Sequence, residues 1–391
     1  MSSRQALIFG ASGISGWALA RECLKYPSED TFNRVIALSN QRLLKEEFLL
    51  SETDASRLDL HAGIDLSKGV DDSDLQQQFS SISGIKETTH VYYTAYGGHR
   101  SDHSTLTKIN ETFFMTALSL VSKNCPRIQF FSLQTGGKTY GFEFYGQPGM
   151  PWNPPHKESN PRLPEPYRSK VFYYPQVDAL TSAAMTHNWK FCEVRPEIIV
   201  GFTPRSNGMG MAQALGIFLS LYRYVRSEGS EVIFPGDEAM WNVPRTDTSQ
   251  DTLARFHIYA SLNPEKTSGR AFNVADEDGG STWKNDWPRL CSYFGLKGVG
   301  PDATNPEPKG LDWLMVNQEQ WIQWMEKAGL RDIGQMNNSS WDMLKVVLEF
   351  LPMDRRMDIT ESKRIGFGEQ TETVDGYFQA WDRMKKAKII A

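Results

Sequence analysis

The stretch Leu7-Ile8-Phe9-Gly10-Ala11-Ser12-Gly13-Ile14-Ser15-Gly16 decides how this chain folds. An apolar run leads into three glycines at three-residue spacing, and an amphipathic segment follows. In such a strand–turn–helix unit, Gly10 permits a tight turn, Gly13 lets the backbone approach a pyrophosphate, and Gly16 allows close helix–strand packing. The phosphates then meet unpaired backbone N–H groups where the helix begins. The predicted dinucleotide contacts are Gly10, Ser12, Gly13, Ile14 and Ser15.

Further apolar runs alternate with segments of helical period along residues 1–200. This alternation predicts a parallel sheet with helices on both faces. The predicted fold is therefore a Rossmann-type, doubly wound α/β domain that binds its cofactor at the carboxyl ends of the strands. The predicted helices include Trp17–Lys25 and Asn110–Val121. The predicted strands are Gln5–Phe9, Arg34–Leu38, His90–Thr94, Arg127–Leu133 and Phe191–Val194.

The remaining sequence predicts a second, smaller lobe. Residues 1–200 are assigned to the NADP-binding Rossmann domain. Residues 201–391 are assigned to a mainly helical substrate-binding lobe, with some segments returning to the Rossmann core. Residues 146–166 hold seven prolines, which exclude regular helix and central strand and predict a stiff surface loop. That loop is either a spacer or a wall of the active-site mouth.

Composition excludes several classes of function. A net charge of −5 over 391 residues, without clustered Lys and Arg, argues against a nucleic-acid partner. Four single cysteines and no visible signal peptide predict a cytoplasmic protein. The longest apolar stretch, 209–221, is too short and too interrupted to span a membrane. His99 and His103 have no carboxylate or cysteine at matching spacing, so no metal site is expected.

Residues after the second and third strands bear on cofactor choice. Where NAD-selective enzymes carry Asp or Glu, this chain has Ser39-Asn40-Gln41-Arg42. No carboxylate repels a 2′-phosphate there, and Asn40 and Arg42 could hold one, so NADP(H) is the predicted cofactor. Asp65 and Leu66 are predicted to contact the adenine, with an ordinary loop aspartate as the alternative. The remaining predicted contacts at the strand ends are Thr94, Ala95 and Gln134.

Two separate segments supply a candidate acid–base pair. Short-chain dehydrogenases normally carry a lysine four residues after the active tyrosine, but Val177 stands four residues after Tyr173. Lys138 follows the fifth strand, at the edge where catalytic side chains project. An ammonium near a phenol favours the phenolate, so Lys138 is expected to replace the missing lysine beside Tyr173. A surface lysine and a packed aromatic pair are the alternative.

Along essentially the whole chain, these motifs resemble the progesterone 5β-reductase/iridoid synthase-like (PRISE) enzymes, an atypical branch of the extended short-chain dehydrogenases. The likeness includes the glycine turn, the Lys138 segment, Phe172-Tyr173-Tyr174 and Arg195-Pro196-x-x-Ile199-x-Gly201-Phe202. The resemblance implies Lys138 and Tyr173 as the catalytic pair, both next to the cofactor. It also implies that Ile199 contacts the cofactor near the nicotinamide.

The chain also departs from the family pattern at three places. Val171 replaces the asparagine that usually precedes the Phe-Tyr-Tyr motif. Ser39 and Asn40 replace the paired arginines that grip the 2′-phosphate in plant members. Tyr96 replaces a tryptophan beside the substrate, which implies a reshaped pocket.

The resemblance implies 1,4-reduction of an α,β-unsaturated carbonyl compound. Hydride passes to the β-carbon, Tyr173 donates a hydrogen bond to the oxygen as an enolate forms, and the α-carbon later takes a proton from solvent. Three alternatives stay open: ketone reduction or alcohol oxidation, redox-neutral isomerisation, and cofactor binding without chemistry by a regulator. The sequence leaves open whether the protein is a monomer or a homodimer.

Apolar side chains suggest the kind of substrate. As a set they predict a bulky, mostly apolar carbonyl compound, of the kind found in specialised metabolism, rather than a sugar nucleotide. Each residue could equally be part of the core. The candidates are Tyr96, Phe142, Trp152, Phe202, Met209, Met211 and Trp341.

Overall fold

The computed structural model describes residues 4–98, 102–332, 334 and 341–391. Contacts between residues divide the chain into two compact units. The first comprises Met1–Pro196, Asp251–Val274 and Asp358–Glu369. The second comprises Glu197–Gln250, Ala275–Met357 and Gln370–Ala391. The roles that the sequence assigns to residues 1–200 and 201–391 stay a prediction.

A seven-stranded parallel sheet forms the centre of the first unit, in the order β10-β6-β5-β4-β1-β2-β3. The chain runs from β1 outward to β2 and β3, and then returns to place β4 on the other side of β1. Short two-stranded pairs, β7 with β9 and β8 with β11, belong to the second unit. The described strands are β1 Gln5–Phe9, β2 Arg34–Leu38, β3 Leu58–His61, β4 His90–Tyr93, β5 Phe130–Gln134, β6 Lys190–Pro196, β7 Ile198–Val200, β8 Glu231–Ile233, β9 Asp247–Ser249, β10 Arg270–Val274 and β11 Lys297–Val299.

Helices follow most strands of the first unit, and the first strand is apolar along its buried length. Ala6, Leu7 and Ile8 of β1 are completely buried, as expected for a parallel sheet covered on both faces. The described α-helices are α1 Ile14–Glu22, α2 Glu52–Ser56, α3 Ser73–Ser80, α4 His103–Asn124, α5 Tyr173–His187, α6 Met211–Arg226, α7 Glu238–Asn242, α8 Gln250–Leu262, α9 Pro264–Thr267, α10 Trp283–Ser292, α11 Gly310–Val316, α12 Glu319–Ala328, α13 Trp341–Lys345, α14 Thr360–Arg364 and α15 Thr373–Lys386.

The predicted Rossmann-type fold is confirmed, and some element bounds differ. Helix α4 begins at His103 rather than Asn110, because Asp102 caps it by accepting hydrogen bonds from the Ser104 and Thr105 N–H groups. The predicted strand Arg127–Leu133 is observed at Phe130–Gln134. Strand β10 was not among the predicted strands. No helix among the described residues has both the length and the apolar character that a membrane span requires.

Candidate active site

The glycine turn is shaped by close backbone contacts. Gly10 has a φ of +89°, and an added Cβ would lie 2.8 Å from the Ala95 nitrogen. A Cβ on Gly16 would lie 2.2 Å from the Gly10 carbonyl oxygen. At Gly13 the nearest atom would be 3.4 Å away, so packing tolerates a side chain there better than at the other two positions. Gly10 and Gly16 therefore fix the turn sterically.

The amino end of α1 is suited to phosphate. Gly13 is the N-cap residue, it supplies no side-chain cap, and the first turn carries no acidic residue. The first N–H groups of a helix have no partner within the helix, so an anion satisfies them well. The Gly10 and Ala11 N–H groups instead donate to the Leu38 carbonyl, at 3.2 and 3.0 Å. The turn therefore fits a dinucleotide pyrophosphate at residues 12–16.

The side chains that follow β2 and β3 differ in their exposure and in the hydrogen bonds that they already make. Ser39 is buried and its Oγ accepts a 3.1 Å bond from the Gln41 N–H, whereas Asn40 and Arg42 are exposed. Within the described ranges, Arg42 has no ion-pair partner. Asp65 already accepts bonds from Ser67, and the Leu66 side chain packs in the core. Arg42 is thus the side chain most available to a 2′-phosphate.

A buried histidine orients the predicted cofactor residue Gln134. His257 of α8 lies 2.7 Å from the Ser132 Oγ through Nδ1, and 3.4 Å from the Gln134 Oε1 through Nε2. Burial lowers the pKa of His257 to about 3, so the ring is neutral. If Nε2 carries the proton, it donates to Gln134 and leaves the Gln134 amide N–H groups for a ligand. No local pattern in the sequence marks His257.

Lys138 lies in a short 3₁₀ turn, Gly137–Tyr140, just after β5. Its ammonium forms an ion pair with Glu143 and a hydrogen bond with the Tyr96 hydroxyl, and Nζ lies 5.7 Å from the centre of the Tyr96 ring. Burial opposes the charge, but Tyr96 and Glu143 outweigh burial and raise the pKa of Lys138. Lys138 is therefore a protonated group held between a carboxylate and a phenol.

Tyr173 begins α5 and is 9% exposed. Its hydroxyl lies 3.6 Å from the position that a Cβ on Gly136 would take, so it reaches the turn that carries Lys138. Among the described residues, the Tyr173 hydroxyl makes no hydrogen bond. Burial, and then the neighbouring Tyr96 and Glu143, raise the pKa of Tyr173 well above its ordinary value.

That Lys138 favours a Tyr173 phenolate stays a prediction, and the described neighbours of Tyr173 act on its pKa in the opposite direction. Glu143 offsets the charge of Lys138, and the ammonium hydrogen-bonds to Tyr96. Tyr173 remains a neutral phenol. A neutral phenol donates a hydrogen bond well but serves poorly as a base.

A second polar network lies at the neighbouring ends of β5, β6 and β10. The Tyr140 hydroxyl donates to the Asn273 Oδ1 at 2.6 Å and accepts from the Arg195 Nη1 at 3.1 Å. Arg195 binds Glu193 through two bonds, of 2.9 and 2.7 Å. The Thr135 Oγ donates to Glu193 at 2.7 Å. Every member has a partner, so this network holds strand ends together.

Aromatic side chains of the proline-rich loop pack against aromatic residues that follow Lys138 in the sequence. The Trp152 ring lies 5.3 Å from Phe142 and 4.6 Å from His156, and His156 stacks on Tyr140 at 5.1 Å. The His156 carbonyl accepts a bond from the Asn273 amide at 2.9 Å, which anchors the loop. Phe142 and Trp152 thus belong to one aromatic cluster, and their contact with substrate stays a prediction.

Comparison with known proteins identifies the family. The model of the PRISE-like Rossmann-fold domain matches residues 6–391. The chain belongs to the PRISE family.

Two relatives and one solved structure illustrate what this PRISE protein is similar to. It is 34% identical over 389 residues to short chain dehydrogenase sirQ of Leptosphaeria maculans, with 98% of this chain and 97% of that protein covered. It is 27% identical over 324 residues to 3-oxo-Delta(4,5)-steroid 5-beta-reductase of Arabidopsis thaliana, covering 82% and 79%. The UDP-glucose 4-epimerase of Thermotoga maritima has the same fold, with a TM-score of 0.58 at 15% identity over 98% and 99% of the two chains.

These likenesses establish the broad class of the PRISE protein. It is an oxidoreductase of the short-chain dehydrogenase superfamily. The glycine turn and the open amino end of α1 suit a dinucleotide cofactor.

Several residues predicted for the PRISE site lie in the second unit. Ile199 lies in β7, Phe202 and Met211 are fully buried, and Met209 is 37% exposed. The Trp341 ring lies edge-on to Trp321 at 6.1 Å. Their contacts with cofactor or substrate stay predictions. His103 is the first residue of α4, and His99 lies outside the described residues.

Proposed function

We propose that this PRISE protein is an NADPH-dependent reductase that acts on the C=C bond of a bulky, apolar α,β-unsaturated carbonyl compound. The bound nicotinamide would supply hydride to the β-carbon. The observation that carries the proposal is the Tyr173 hydroxyl, which is protonated and has no partner among the described residues. It is a hydrogen-bond donor without an acceptor, close to Gly136 at the start of the turn that carries Lys138.

The protonation state of Tyr173 favours reduction over alcohol oxidation. Alcohol oxidation needs a base that removes a proton, but burial, Tyr96 and Glu143 keep Tyr173 protonated. Reduction needs a donor for the oxygen on which negative charge develops. A donor placed in this way contributes about 10²–10³ in rate, or roughly 3–4 kcal/mol. Tyr173 fits that role, and Lys138 raises the positive potential near the same oxygen.

The name of one relative supports the substrate class. The Arabidopsis relative is named as a reductase of a 3-oxo-Delta(4,5)-steroid, which is a bulky, apolar enone. The apolar cluster around Tyr173 suits such a molecule. Its buried members are Leu106, Phe144, Leu163, Tyr167, Val171, Phe172, Tyr173 and Tyr174.

The preference for NADPH over NADH rests on Arg42 and Asn40. Both side chains are exposed after β2, and no carboxylate follows that strand directly. Arg42→Ala should weaken NADPH binding by about tenfold, which corresponds to one lost charge-assisted contact. NADH is the control, since it lacks the 2′-phosphate and its affinity should not change. Equal affinities for the two cofactors in the unaltered protein would contradict the preference.

Product analysis tests the reaction itself. The protein is incubated with NADPH and cyclohex-2-enone, and the products are identified by gas chromatography and mass spectrometry. We expect cyclohexanone, with one NADPH consumed for each molecule formed. Cyclohex-2-enol would indicate ketone reduction instead, and conversion without NADPH consumption would indicate an isomerase. NADPH binding without turnover of any enone in a panel extended to bulky steroid enones would indicate a regulator.

A further inference from the structure

We propose that Tyr96 donates the proton that completes the reduction at the α-carbon, and that Lys138, paired with Glu143, returns a proton to Tyr96 from solvent. This inference rests on the proposed enone reduction and adds a second phenol to the site. Tyr173 would donate a hydrogen bond to the carbonyl oxygen, and Tyr96 would donate a proton to the α-carbon.

The hydrogen bond between Lys138 and Tyr96 leaves the Tyr96 proton free. A lysine ammonium has three N–H donors and no acceptor, so Lys138 must donate and the Tyr96 oxygen must accept. The phenol's own O–H then has to point elsewhere. Within the described part of the chain, no acceptor binds the Tyr96 O–H. Tyr96 is therefore held by its oxygen with its proton available.

Tyr96 and Tyr173 belong to the same apolar cluster. Tyr96 follows the end of β4 and packs half-buried against it, with its ring 5.9 Å from Phe172. The Phe172 ring is 4.4 Å from the Tyr173 ring. Phe172 thus lies between the two tyrosine rings in one cluster. The proposal requires one small enone to reach both hydroxyls there.

Lys138 and Glu143 are both partly exposed to solvent. The side chain of Glu143 is 29% exposed and that of Lys138 is 21% exposed, and the two form an ion pair. Water can therefore reach the Lys138 ammonium, which Glu143 holds in place. Lys138 and Tyr96 thus connect the solvent to the apolar cluster.

The proton balance of the proposed step closes. Hydride transfer brings both electrons to the β-carbon and leaves an enolate. The O–H bond of Tyr96 breaks as a C–H bond forms at the α-carbon, which gives the saturated ketone. The Tyr96 phenolate then takes a proton from the Lys138 ammonium. The resulting amine regains a proton from water, and Glu143 stabilises the restored ammonium.

The stereochemistry of the α-carbon tests this step. The full-length protein reduces 2-methylcyclohex-2-enone with NADPH, and the enantiomeric excess of 2-methylcyclohexanone is measured before chemical exchange at C2. A fixed donor protonates one face, so the unaltered protein should give one enantiomer in large excess. Tyr96→Phe should slow ketone formation by about 10²-fold, as for loss of a general acid. The ketone that it still forms should be nearly racemic at C2.

Matched variants separate the outcomes. Tyr145→Phe removes the hydroxyl of an exposed tyrosine whose ring packs on Trp152, and it should keep the enantiomeric excess. Tyr96→Trp keeps a large ring without a phenol and should behave like Tyr96→Phe if that variant folds poorly. A racemic product from the unaltered protein, or full enantiomeric excess from a folded Tyr96 variant, would overturn the inference. Absence of any saturated ketone with the unaltered protein would instead count against the proposed function.

Discussion

Tyr140 and Tyr173 lie near the same strand end, and their hydroxyls are in opposite situations. Tyr140 donates to Asn273 and accepts from Arg195, so its hydrogen-bonding capacity is used within the protein. Tyr173 has no hydrogen-bond partner among the described residues. Both tyrosines are buried and both have raised pKa values. Saturation by protein partners, rather than burial or pKa, therefore separates Tyr140 from Tyr173.

The exposure of the hydroxyl supports this distinction. Among the described residues, the buried side-chain atoms that lack a partner include the Tyr93 hydroxyl but not the Tyr173 hydroxyl, so solvent or a substrate oxygen can reach Tyr173. No ligand is needed at Tyr140, because Asn273 and Arg195 already satisfy the phenol.

The largest expected effect comes from Tyr173→Phe. Loss of the donor should reduce turnover of an enone by about 10²–10³, because the developing negative charge loses its hydrogen bond. NADPH affinity and the free energy of unfolding should change little, since no protein partner is lost. Steady-state kinetics and a fluorescence titration of NADPH measure these quantities.

The adjacent Tyr174→Phe is the matched control. Its hydroxyl accepts from the Leu163 N–H at 3.1 Å and donates to the Thr139 carbonyl at 2.8 Å. This variant should lose stability and keep most of its turnover. Unchanged turnover in Tyr173→Phe would remove Tyr173 from the mechanism.

Lys138→Ala should have the next largest effect. Removal of the ammonium takes away the positive potential near the substrate oxygen, and turnover should fall by about 10–10². Lys170→Ala is the control, because Lys170 is an exposed lysine whose Nζ lies 5.9 Å from the Phe144 ring. Equal turnover in the two variants would show that Lys138 is a surface lysine without a catalytic role.

Tyr140→Phe should act on stability. Without the phenol, Asn273 and Arg195 each lose a buried partner, and the free energy of unfolding should fall by about 1–2 kcal/mol. Urea denaturation followed by far-ultraviolet circular dichroism measures this change. A loss of turnover comparable to that of Tyr173→Phe, without loss of stability, would contradict a structural role.

The smallest expected effect concerns Glu143→Gln and pH. Tyr96 and Glu143 together raise the pKa of Lys138 against the effect of burial. The ammonium is lost as pH rises through that pKa, so removal of the Glu143 charge should lower the pKa. The alkaline limit of the turnover profile should then move to lower pH. An unmoved alkaline limit would indicate that Glu143 does not set the charge of Lys138.

The sequence predicted the parts of this site that depend on local pattern. The glycine turn follows an apolar run and opens a helix, so its position and the Rossmann-type fold could be read directly. The position of Lys138 just after the fifth strand singled it out, and the resemblance implied the same residue. Glu143, five residues after Lys138, was missed because a single acidic residue between two phenylalanines gives no signal of its partner.

Contacts between residues that are distant in the chain could not be predicted from the sequence. His257 contacts Ser132, and Asn273 contacts Tyr140, across more than a hundred residues. Such pairs form only when helix α8 and strand β10 return to the first sheet. The opposite situations of Tyr140 and Tyr173 likewise depend on these returning segments. Side-chain type and spacing carry no information on which hydroxyl will be satisfied.

A crystal structure of the protein with NADP⁺ and 2-methylcyclohex-2-enone tests the central claim most directly. We expect the enone oxygen within hydrogen-bonding distance of the Tyr173 hydroxyl, and the β-carbon facing C4 of the nicotinamide. The carbonyl carbon facing C4, or an enone oxygen bound away from Tyr173, would contradict the account.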